Sequence, residues 1–341
     1  MPNQFLRECL SKLTRRENLT RAEASRLLES LLEPDATDAQ IGATLVALSS
    51  KGETFDELAG MASALRSRSV RVNPSHDCFI DTAGTGSSPA KTFNISTAAA
   101  FVIAGAGLPV AKHGNRAASS RSGSADVLTA LGVNVSAVPQ ISEQCLNSIG
   151  ICFMFAPLYH GATARVAGVR RELGVHTTFN LLGPLSNPAS APRQIIGVWR
   201  CELTELMAQA LAELGTQRAW VVHGNDGLDE ITIDGKTTVA EAHLGKVRTF
   251  EVTAEDFGLP SGGLDHLRGG DAEMNAAIIL EVLSGQRKDE ARRLVIVNAA
   301  AALFVGGRSE DLKSAARLAE ESIDSGAALD KLDGLIRETN N

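Results

Sequence analysis

The sequence predicts an α/β protein: a small N-terminal α-helical domain, residues 1–72, plus a larger α/β domain, residues 76–341, with a mostly parallel central sheet. Two observations lead to this fold class. Three helix-start signals follow one another within the first seventy residues, and short apolar segments then alternate with segments of helical periodicity. Such alternation is typical of β-α-β units whose sheet is covered by helices on both faces.

Three capping boxes predict the N-terminal helices. In each, a threonine precedes by three residues a side chain that can reach back to it, and an apolar stripe of helical spacing follows. The pairs are Thr20 with Glu23, Thr37 with Gln40, and Thr54 with Glu57. Each stripe needs a partner, so the helices are expected to pack together.

A linker, "RSVRVNPSHD" (68–77), separates these helices from the α/β pattern, since Pro74 cannot continue a helix. Beyond it we predict helices over 95–106 and 124–131. An Asp234-Gly235 turn predicts an antiparallel hairpin over 231–252. The predicted strands cover 78–80, 108–111, 133–135, 151–155, 195–199 and 219–222.

Composition excludes several classes of protein. A net charge of −7 over 341 residues argues against a general nucleic-acid binder, which needs a surplus of cations. The five cysteines lack the spacing of a zinc site, and we expect them to be reduced thiols. No signal-peptide pattern or apolar run of membrane-spanning length occurs, so we expect a soluble cytoplasmic protein.

The stretch "DTAGTGSSPAKTFNIST" (81–97) follows a predicted strand and is rich in glycine and hydroxyl groups. Ligands of open α/β sheets bind beyond the carboxyl ends of strands, where glycine lets backbone N–H groups approach an anion. Asn94 can cap a helix that begins at Ile95, and a helix N-terminus favours phosphate. An ordinary turn is the alternative, because the Rossmann and Walker spacings are absent.

The next predicted strand leads into "AKHGNRAASSRSGSAD" (111–126), which brings Lys112, Arg116, several serines and a possible helix cap, Ser124. Two successive strand ends thus supply cations, hydroxyls and helix N-termini to one edge of the sheet. Such a group suits a ligand with several phosphate oxygens. His113 taken alone fits a hydrogen-bonded structural histidine better than a base.

An acidic segment, "VVHGNDGLDEITI" (221–233), offers Asp226, Asp229 and Glu230 after a further strand. Mg²⁺ at a polyphosphate is held by one or two carboxylates together with phosphates and water. Adjacent Asp229 and Glu230 can act together only on a loop, because consecutive strand residues point to opposite faces. A solvated acidic turn remains the alternative.

Together, "GTG…FNIST", "KHGNRAASSRSGSAD", "GVRRELGVHTTFNLLGPLSNPA" and "GLDEITI" resemble the anthranilate phosphoribosyltransferase family across nearly the whole chain. The resemblance implies a helical domain hinged to an α/β domain, extra helices from residues 166–187 in the helical domain, and a homodimer. It also implies the transfer of phosphoribose from 5-phosphoribosyl 1-diphosphate (PRPP) to anthranilate, with release of pyrophosphate, in tryptophan biosynthesis. The implied partners are these small molecules, without nucleic acid or membrane.

The resemblance also implies the site residues. Lys112, Asn115 and Arg170 are the implied catalytic residues, Mg²⁺ is the cofactor, and Ser96, Asp229 and Glu230 are its ligands. Anthranilate would contact Gly84, Asn115, His160 and Arg170. PRPP would contact Gly84, Ser87, Ser88, Thr92, Asn94, Ile95, Ser96, Thr97, Lys112, His113, Gly114, Asn115, Arg116, Ala117, Ala118, Ser119, Ser120 and Ser124.

Two segments depart from the family pattern. The usual Gly-Thr-Gly-Gly-Asp continues here after Gly86 as Ser87-Ser88-Pro89, which limits positive φ and removes an N–H. Where the family usually has His-Pro-Ala-Met, this chain has His160-Gly161-Ala162-Thr163. Gly168 stands where the family usually has a proline. The first departure affects the diphosphate loop and the second the acceptor channel.

Two other functions are compatible with the fold. A pyrimidine-nucleoside-phosphorylase-like enzyme would use free phosphate, but the Asn115-Arg116 and Arg170-Arg171 segments resemble the transferase. A non-catalytic nucleic-acid-binding paralogue conflicts with the acidic pI near 5.6 and with the Asp229-Glu230 pair. If the substrates bind to separate domains, the domains must close over them, and we expect hinges near Pro74 and Gly168.

Overall fold

The computed structural model describes residues 3–86, 92–117, 121–264 and 267–341. The strands are β1 (Ile80–Gly84), β2 (Val110–Gly114), β3 (Ile151–Phe155), β4 (Arg193–Gly197), β5 (Arg218–Gly224), β6 (Thr237–His243) and β7 (Lys246–Val252). The α-helices are α1 (Gln4–Thr14), α2 (Arg21–Leu32), α3 (Asp38–Lys51), α4 (Phe55–Ser67), α5 (Ile95–Gly105), α6 (Ser124–Ala130), α7 (Pro139–Ile149), α8 (Ala156–Tyr159), α9 (Ala164–Leu173), α10 (Thr178–Leu185), α11 (Leu203–Glu213), α12 (Ala272–Leu283), α13 (Glu290–Val305), α14 (Leu312–Asp324) and α15 (Ala327–Asn340).

The N-terminal helices begin where the sequence predicts. All three capping boxes form: each threonine accepts a hydrogen bond from the backbone N–H three residues on, and that residue's side chain reaches back to the threonine N–H. The apolar stripes of α1 to α4 are buried in one common core, which also contains side chains of α9, α10 and α11. The predicted helical layer is therefore present and includes mid-chain helices.

A buried ion pair ties α3 to α4. Lys51 Nζ lies 2.8 Å from Glu57 Oε2, and the two side chains are 3% and 0% exposed. The Glu57 carboxylate also accepts hydrogen bonds from the backbone N–H groups of Leu19, at 2.9 Å, and Thr54, at 2.8 Å. One carboxylate thus closes the capping box and joins three segments of the helical layer.

We expect Lys51→Met to lower the free energy of unfolding by about 3–5 kcal/mol, because removal of one partner leaves a buried charge uncompensated. Chemical denaturation followed by circular dichroism measures this change. Lys236→Met is the matched control, because Lys236 pairs with Glu251 at the surface, where both side chains are more than half exposed. The control is expected to unfold like the wild type, and equal losses in the two variants would contradict the prediction.

Seven strands form one sheet in the order β3-β2-β1-β4-β5-β6-β7. The first five are parallel, and β6 and β7 are antiparallel to their neighbours. This mixed sheet and the N-terminal helices confirm the predicted fold class. Strand β7 is an edge whose outward residues include Lys246, Arg248 and Glu251, all exposed.

Two predicted β features are wrong. Residues 133–135 are irregular chain that leads into a turn instead of a strand, because this segment only connects α6 to α7. The hairpin turn lies at Leu244-Gly245, between β6 and β7, and not at Asp234-Gly235, which precedes β6. Both Leu244 and Gly245 have positive φ, 50° and 76°, as a tight hairpin requires, whereas leucine gives no sequence signal for that conformation.

The strands that lead into the two glycine-rich motifs, residues 81–97 and 111–126, extend further than predicted. Strand β1 ends at Gly84 rather than at Ile80, and β2 ends at Gly114 rather than at Ala111. Lys112 and His113 are therefore strand residues instead of loop residues. Because successive strand side chains point to opposite faces, these two neighbours lie on different sides of the sheet.

Helices α9 and α10 join the helical layer. Arg165 of α9 binds Asp38 Oδ1 at 2.8 Å and also donates to the carbonyl oxygen of Ala36. Thr178 of α10 donates to Glu53 at 2.6 Å. Of the two positions near which hinges are expected, Gly168 is an interior residue of α9 and not part of a linker, whereas Pro74 lies in irregular chain between α4 and β1. Closure of the domains stays a prediction.

Within the described ranges, the chain has no helix that combines the length and apolar character needed to span a bilayer.

Candidate active site

Lys112 is the central residue of β2, and its side chain is enclosed. Its ammonium group donates to the carbonyl oxygen of Thr82 at 2.5 Å and to Ser96 Oγ at 3.3 Å. Burial lowers the pKa of Lys112, while the negative charges of Asp81 and Glu230 oppose that shift. The side chain is 4% exposed, so water screens its charge little.

The acidic pair reaches the same end of the sheet from the loop after β5. Glu230 Oε1 accepts a hydrogen bond from the backbone N–H of Ser96, at 3.2 Å, and so links this loop to the start of α5. Burial and the neighbouring Asp229 carboxylate raise the pKa of Glu230 to about 8, although Lys112 acts in the opposite direction. The loop position of Asp229 and Glu230 agrees with the sequence prediction.

These oxygens suit a magnesium ion. The neighbouring Asp229 and Glu230 carboxylates, with Ser96 bonded to Glu230, form a hard-oxygen donor set of the kind that Mg²⁺ prefers. Among the described residues no cluster contains three or more histidine, cysteine or acidic side chains in metal-binding arrangement. Two carboxylates are nevertheless sufficient where phosphates and water complete the coordination.

Glycines let the acidic loop approach the strand ends. A Cβ atom built on Gly197, the last residue of β4, would lie 1.6 Å from the carbonyl oxygen of Asp229. At Gly84 a Cβ would lie 3.3 Å from Asp229 Oδ2. Thr85 donates from its backbone N–H to the carbonyl oxygen of Gly197 at 2.9 Å. The loop therefore packs on a bare backbone surface, and its position depends on glycine at 197.

Asn94 does not cap α5 with its side chain as predicted. Its Nδ2 donates to the carbonyl oxygen of Ser122 at 3.3 Å, and its Oδ1 accepts from Asn275 Nδ2 at 3.0 Å. Asn94 thus bridges the loop before α6 and the start of α12. The backbone N–H groups of residues 95–98 all donate within the chain, to Phe93, Glu230 and Asn94, so the end of α5 is not an open anion site here.

The described part of the second glycine-rich motif is ordered around Asp126. This carboxylate binds Arg116 at 2.8 Å and accepts from the backbone N–H groups of Ala117, at 2.9 Å, and Gly123, at 3.0 Å. Gly123 occupies the cap position of α6, so the prediction of Ser124 as cap is wrong: Ser124 is the first helical residue, and its Oγ donates to the carbonyl oxygen of Asn115. The Asn115 side chain is exposed.

His113 and His160 form a buried pair on the face of β2 opposite Lys112. Their rings meet edge to face with centroids 5.1 Å apart. His160 Nε2 lies 3.1 Å from the carbonyl oxygen of Ser186, just after α10. Burial lowers the pKa of His113 to about 3 and that of His160 to about 4, so both rings are neutral at pH 7. The structure does not bring the His113 ring to the Lys112 ammonium group.

Arg170 lies on α9 with its guanidinium carbon 5.3 Å from the centroid of the Phe179 ring. Burial lowers its pKa. In the part of the chain that the structure describes, this guanidinium makes no hydrogen bond and no ion pair. A half-buried cation over an aromatic ring is a favourable place for a small aromatic carboxylate.

The other predicted contacts divide into four groups. Thr92 forms an isolated antiparallel bridge with Arg268, and the side chains of Ile95 and Thr97 are buried, so only backbone atoms of these two could meet a ligand. Gly114 packs against Ser124, where a Cβ would lie 2.2 Å from the hydroxyl oxygen. Five predicted contacts lie outside the described residues: Ser87, Ser88, Ala118, Ser119 and Ser120.

Four further residues join this network without having been predicted as site residues: Asp81, Thr82, Asn187 and Asn275. Thr82 holds the Lys112 ammonium group, and Asn275 holds Asn94. The signal for Asp81 is a carboxylate inside an apolar strand, and for Asn187 an asparagine before a proline in a segment of the resemblance. Asn275 had no distinguishing local signal, because its role depends on contact with a residue 181 positions away.

Both parts of the chain match models of known protein domains. The glycosyl transferase family, a/b domain, matches residues 76–329, and the helical bundle domain of the glycosyl transferase family matches residues 7–69. The chain is thus a glycosyl transferase with a helical bundle and an α/β domain.

Individual relatives give the particular family. An anthranilate phosphoribosyltransferase of Moorella thermoacetica is 50% identical over 332 residues, which are 97% of this chain and 98% of the relative. The crystal structure of the anthranilate phosphoribosyltransferase of Thermus thermophilus superposes with a TM-score of 0.92 at 39% identity, covering 98% of this chain and 99% of that one. That of Saccharomyces cerevisiae in complex with PRPP and Mg gives 0.89 at 30% identity, covering 98% of both chains. The chain belongs to the anthranilate phosphoribosyltransferase family, which confirms the resemblance seen in the sequence.

Proposed function

We propose that this chain transfers the phosphoribosyl group of PRPP to the amine of anthranilate, giving N-(5-phosphoribosyl)anthranilate and pyrophosphate. The observation that carries the proposal is the convergence, at adjoining strand ends, of Lys112, Ser96 and the Asp229-Glu230 pair. A cation and two metal-binding carboxylates within one polar network suit a sugar diphosphate. We assign anthranilate as the acceptor because the chain belongs to the anthranilate phosphoribosyltransferase family.

Electrostatic support is the main requirement of this reaction. When diphosphate leaves the anomeric carbon, positive charge develops on the sugar and negative charge on the leaving group, so fixed charges matter more than a base. Lys112 is held by Thr82 and Ser96 in a site that is largely closed to water, and there its charge stabilises the departing oxygens. Because an aromatic amine is already neutral at pH 7, the enzyme needs no general base, and alignment is the remaining task.

Mg²⁺ is the cofactor that these residues fit, with Asp229, Glu230 and Ser96 as the proposed ligands. When bound, it neutralises charge on the diphosphate. Without it, the two carboxylates would repel an incoming anion, and this is a reason for the enzyme to bind PRPP together with the metal. The structure of the yeast relative was obtained with PRPP and Mg, which supports this assignment.

The acceptor side is formed by α9 and the residues near α10. We propose that Arg170 faces the anthranilate carboxylate, because its half-buried guanidinium has no anionic partner in the described chain. His160 and Asn115 complete the proposed acceptor site with Gly84. The Asn115 side chain is exposed; its Oδ1 accepts from the backbone N–H of Arg116 at 2.8 Å, and its amide NH2 group faces outward to donate to either substrate. The homodimer and cytoplasmic location implied by the resemblance stay predictions, and sedimentation analysis of the purified chain would test the first.

A fluorescence assay tests the proposed function directly. Purified chain, PRPP and Mg²⁺ are mixed with anthranilate, and the decrease of anthranilate fluorescence is followed. Loss of fluorescence that requires all three components supports the transfer. Phosphorolysis of thymidine or uridine without loss of anthranilate fluorescence would instead support a nucleoside phosphorylase. A salt-dependent affinity for DNA without turnover would support a nucleic-acid-binding paralogue.

Arg170→Ala is expected to raise the KM for anthranilate by about 10- to 150-fold, the equivalent of one charge-assisted contact, with a small change in the KM for PRPP. The same assay measures both constants. Arg171→Ala is the matched control, because Arg171 is the next residue of α9, is exposed, and has no described ion pair. If Arg170→Ala behaves like Arg171→Ala, the acceptor assignment is wrong.

A further inference from the structure

Asp81 is a carboxylate buried completely inside β1, beneath the strand ends that carry the candidate site. It is 0% exposed, and its only described hydrogen-bond donors are neutral groups. Asp81 Oδ1 accepts from the backbone N–H of His113 at 3.1 Å, and Oδ2 accepts from Asn187 Nδ2 at 2.7 Å. Burial raises the pKa of Asp81 to about 6, against the effect of the Lys112 charge and these hydrogen bonds.

Asn187 uses all of its side-chain groups. Besides the bond to Asp81, its Nδ2 donates to the carbonyl oxygen of Ala111 at 2.9 Å, and its Oδ1 accepts from the backbone N–H of Ala189 at 2.9 Å. The residue is 0% exposed and lies just after α10. One amide thus joins β1, β2 and the segment between α10 and β4.

Asp81 and Asn187 join the structural elements whose relative position matters for the proposed reaction. Strand β2 carries Lys112 between Ala111 and His113, the two residues whose backbone groups the pair binds. Helix α10 packs against the acceptor side, where Phe179 supports Arg170. A buried charge has a desolvation cost, and well-packed apolar residues would fill the same volume at lower cost. Stability alone therefore does not account for a carboxylate here.

We propose that Asp81 and Asn187 are a positioning pair that fixes residues 111–113 of β2, and with them Lys112, relative to the acceptor-side helices. The inference rests on the proposed function, since it assigns Lys112 to the diphosphate. We assign neither residue a substrate contact, because both side chains are fully buried and bind backbone and amide groups of the fold.

The test uses Asp81→Asn, which has the same shape and keeps an acceptor for the His113 N–H, and Asn187→Leu, which has similar volume but cannot donate. The matched control is Ser322→Ala, because Ser322 is also buried and donates to a backbone oxygen, that of Val102, at 2.8 Å, far from the site. Calorimetric titration with PRPP and Mg²⁺, turnover of anthranilate and thermal unfolding are measured for each folded variant.

We expect Asp81→Asn and Asn187→Leu to weaken PRPP binding and to lower kcat, each at least tenfold. Ser322→Ala is expected to lower the unfolding temperature and leave binding and kcat unchanged. If the two site variants lose only thermal stability, as the control does, the proposal is overturned. Asp81→Asn retains the packing of the wild type, so it tests the proposal even if Asn187→Leu does not fold.

The titration separates this inference from the proposed function. A wild-type chain that binds PRPP without consuming anthranilate would contradict the acceptor assignment, while weaker binding in Asp81→Asn would still support the positioning pair. Binding in Asp81→Asn as tight as in the wild type would overturn the pair and leave the transfer reaction untouched. A wild-type chain that does not bind PRPP would overturn both.

Discussion

Lys112→Met is expected to lower kcat for phosphoribosyl transfer by about 10²–10³-fold, the loss typical of removing one preorganised group that stabilises developing charge. Methionine fills most of the volume of lysine but carries no charge. In the variant, the Thr82 carbonyl oxygen and the Ser96 hydroxyl lose the ammonium group that they hold, and no cation at this position stabilises the leaving diphosphate. Steady-state turnover with saturating PRPP and anthranilate measures the change.

Lys331→Met is the matched control for this substitution. Lys331 is a half-buried lysine of α15 that also donates to a backbone carbonyl oxygen, that of Ile149, at 2.7 Å. It should reduce thermal stability without affecting kcat. Turnover by Lys112→Met at the wild-type rate would show that the departing charge is stabilised elsewhere.

Gly197→Ala is expected to reduce kcat/KM for PRPP by about 10²-fold, because displacement of a binding group by about 1 Å can have an effect of that size. The added Cβ would lie 1.6 Å from the carbonyl oxygen of Asp229, so the acidic loop must move. Movement of Asp229 and Glu230 also alters the magnesium site. A titration of activity with Mg²⁺ is expected to show a higher requirement for the metal.

Gly334→Ala provides the comparison. Gly334 lies inside α15, where a Cβ would make an ordinary contact of 3.5 Å with Ile149. Alanine is the better helix former, so this variant should keep full activity and gain about 0.5–1 kcal/mol of stability. A Gly197→Ala enzyme with unchanged activity and an unchanged Mg²⁺ requirement would contradict the role given to Gly197.

Local signals predicted the helical layer and most of the sheet. The capping boxes of α2, α3 and α4 form as expected because all their partners lie within one turn of helix. Strand β3 matches its predicted bounds because its apolar run is closed by Gly150 on one side and Pro157 on the other. By contrast, the hairpin turn was misplaced, because a leucine at positive φ is imposed by the pairing of β6 with β7.

The sequence indicates which types of residue form the candidate site better than it indicates how they are arranged. The sequence placed Lys112 and His113 together, whereas the end of β2 sends them to opposite faces of the sheet. Nothing local indicated that Asn94 would bond Asn275, or that Asp81 would bond Asn187, since these contacts join residues more than a hundred positions apart. Long-range hydrogen bonds follow from the assembled fold, and one sequence does not show them.

The free edge of the sheet has a consequence for behaviour at high concentration. Strand β7 leaves unpaired backbone groups that could join the same strand of another molecule. Lys246, Arg248 and Glu251 are exposed on that strand, Lys246 and Arg248 on one face of the sheet and Glu251 on the other, and Arg248 forms an ion pair with Glu241 of β6. A strand of another molecule that paired with this edge would have to accommodate these charged side chains, which disfavours aggregation along the antiparallel side of the sheet.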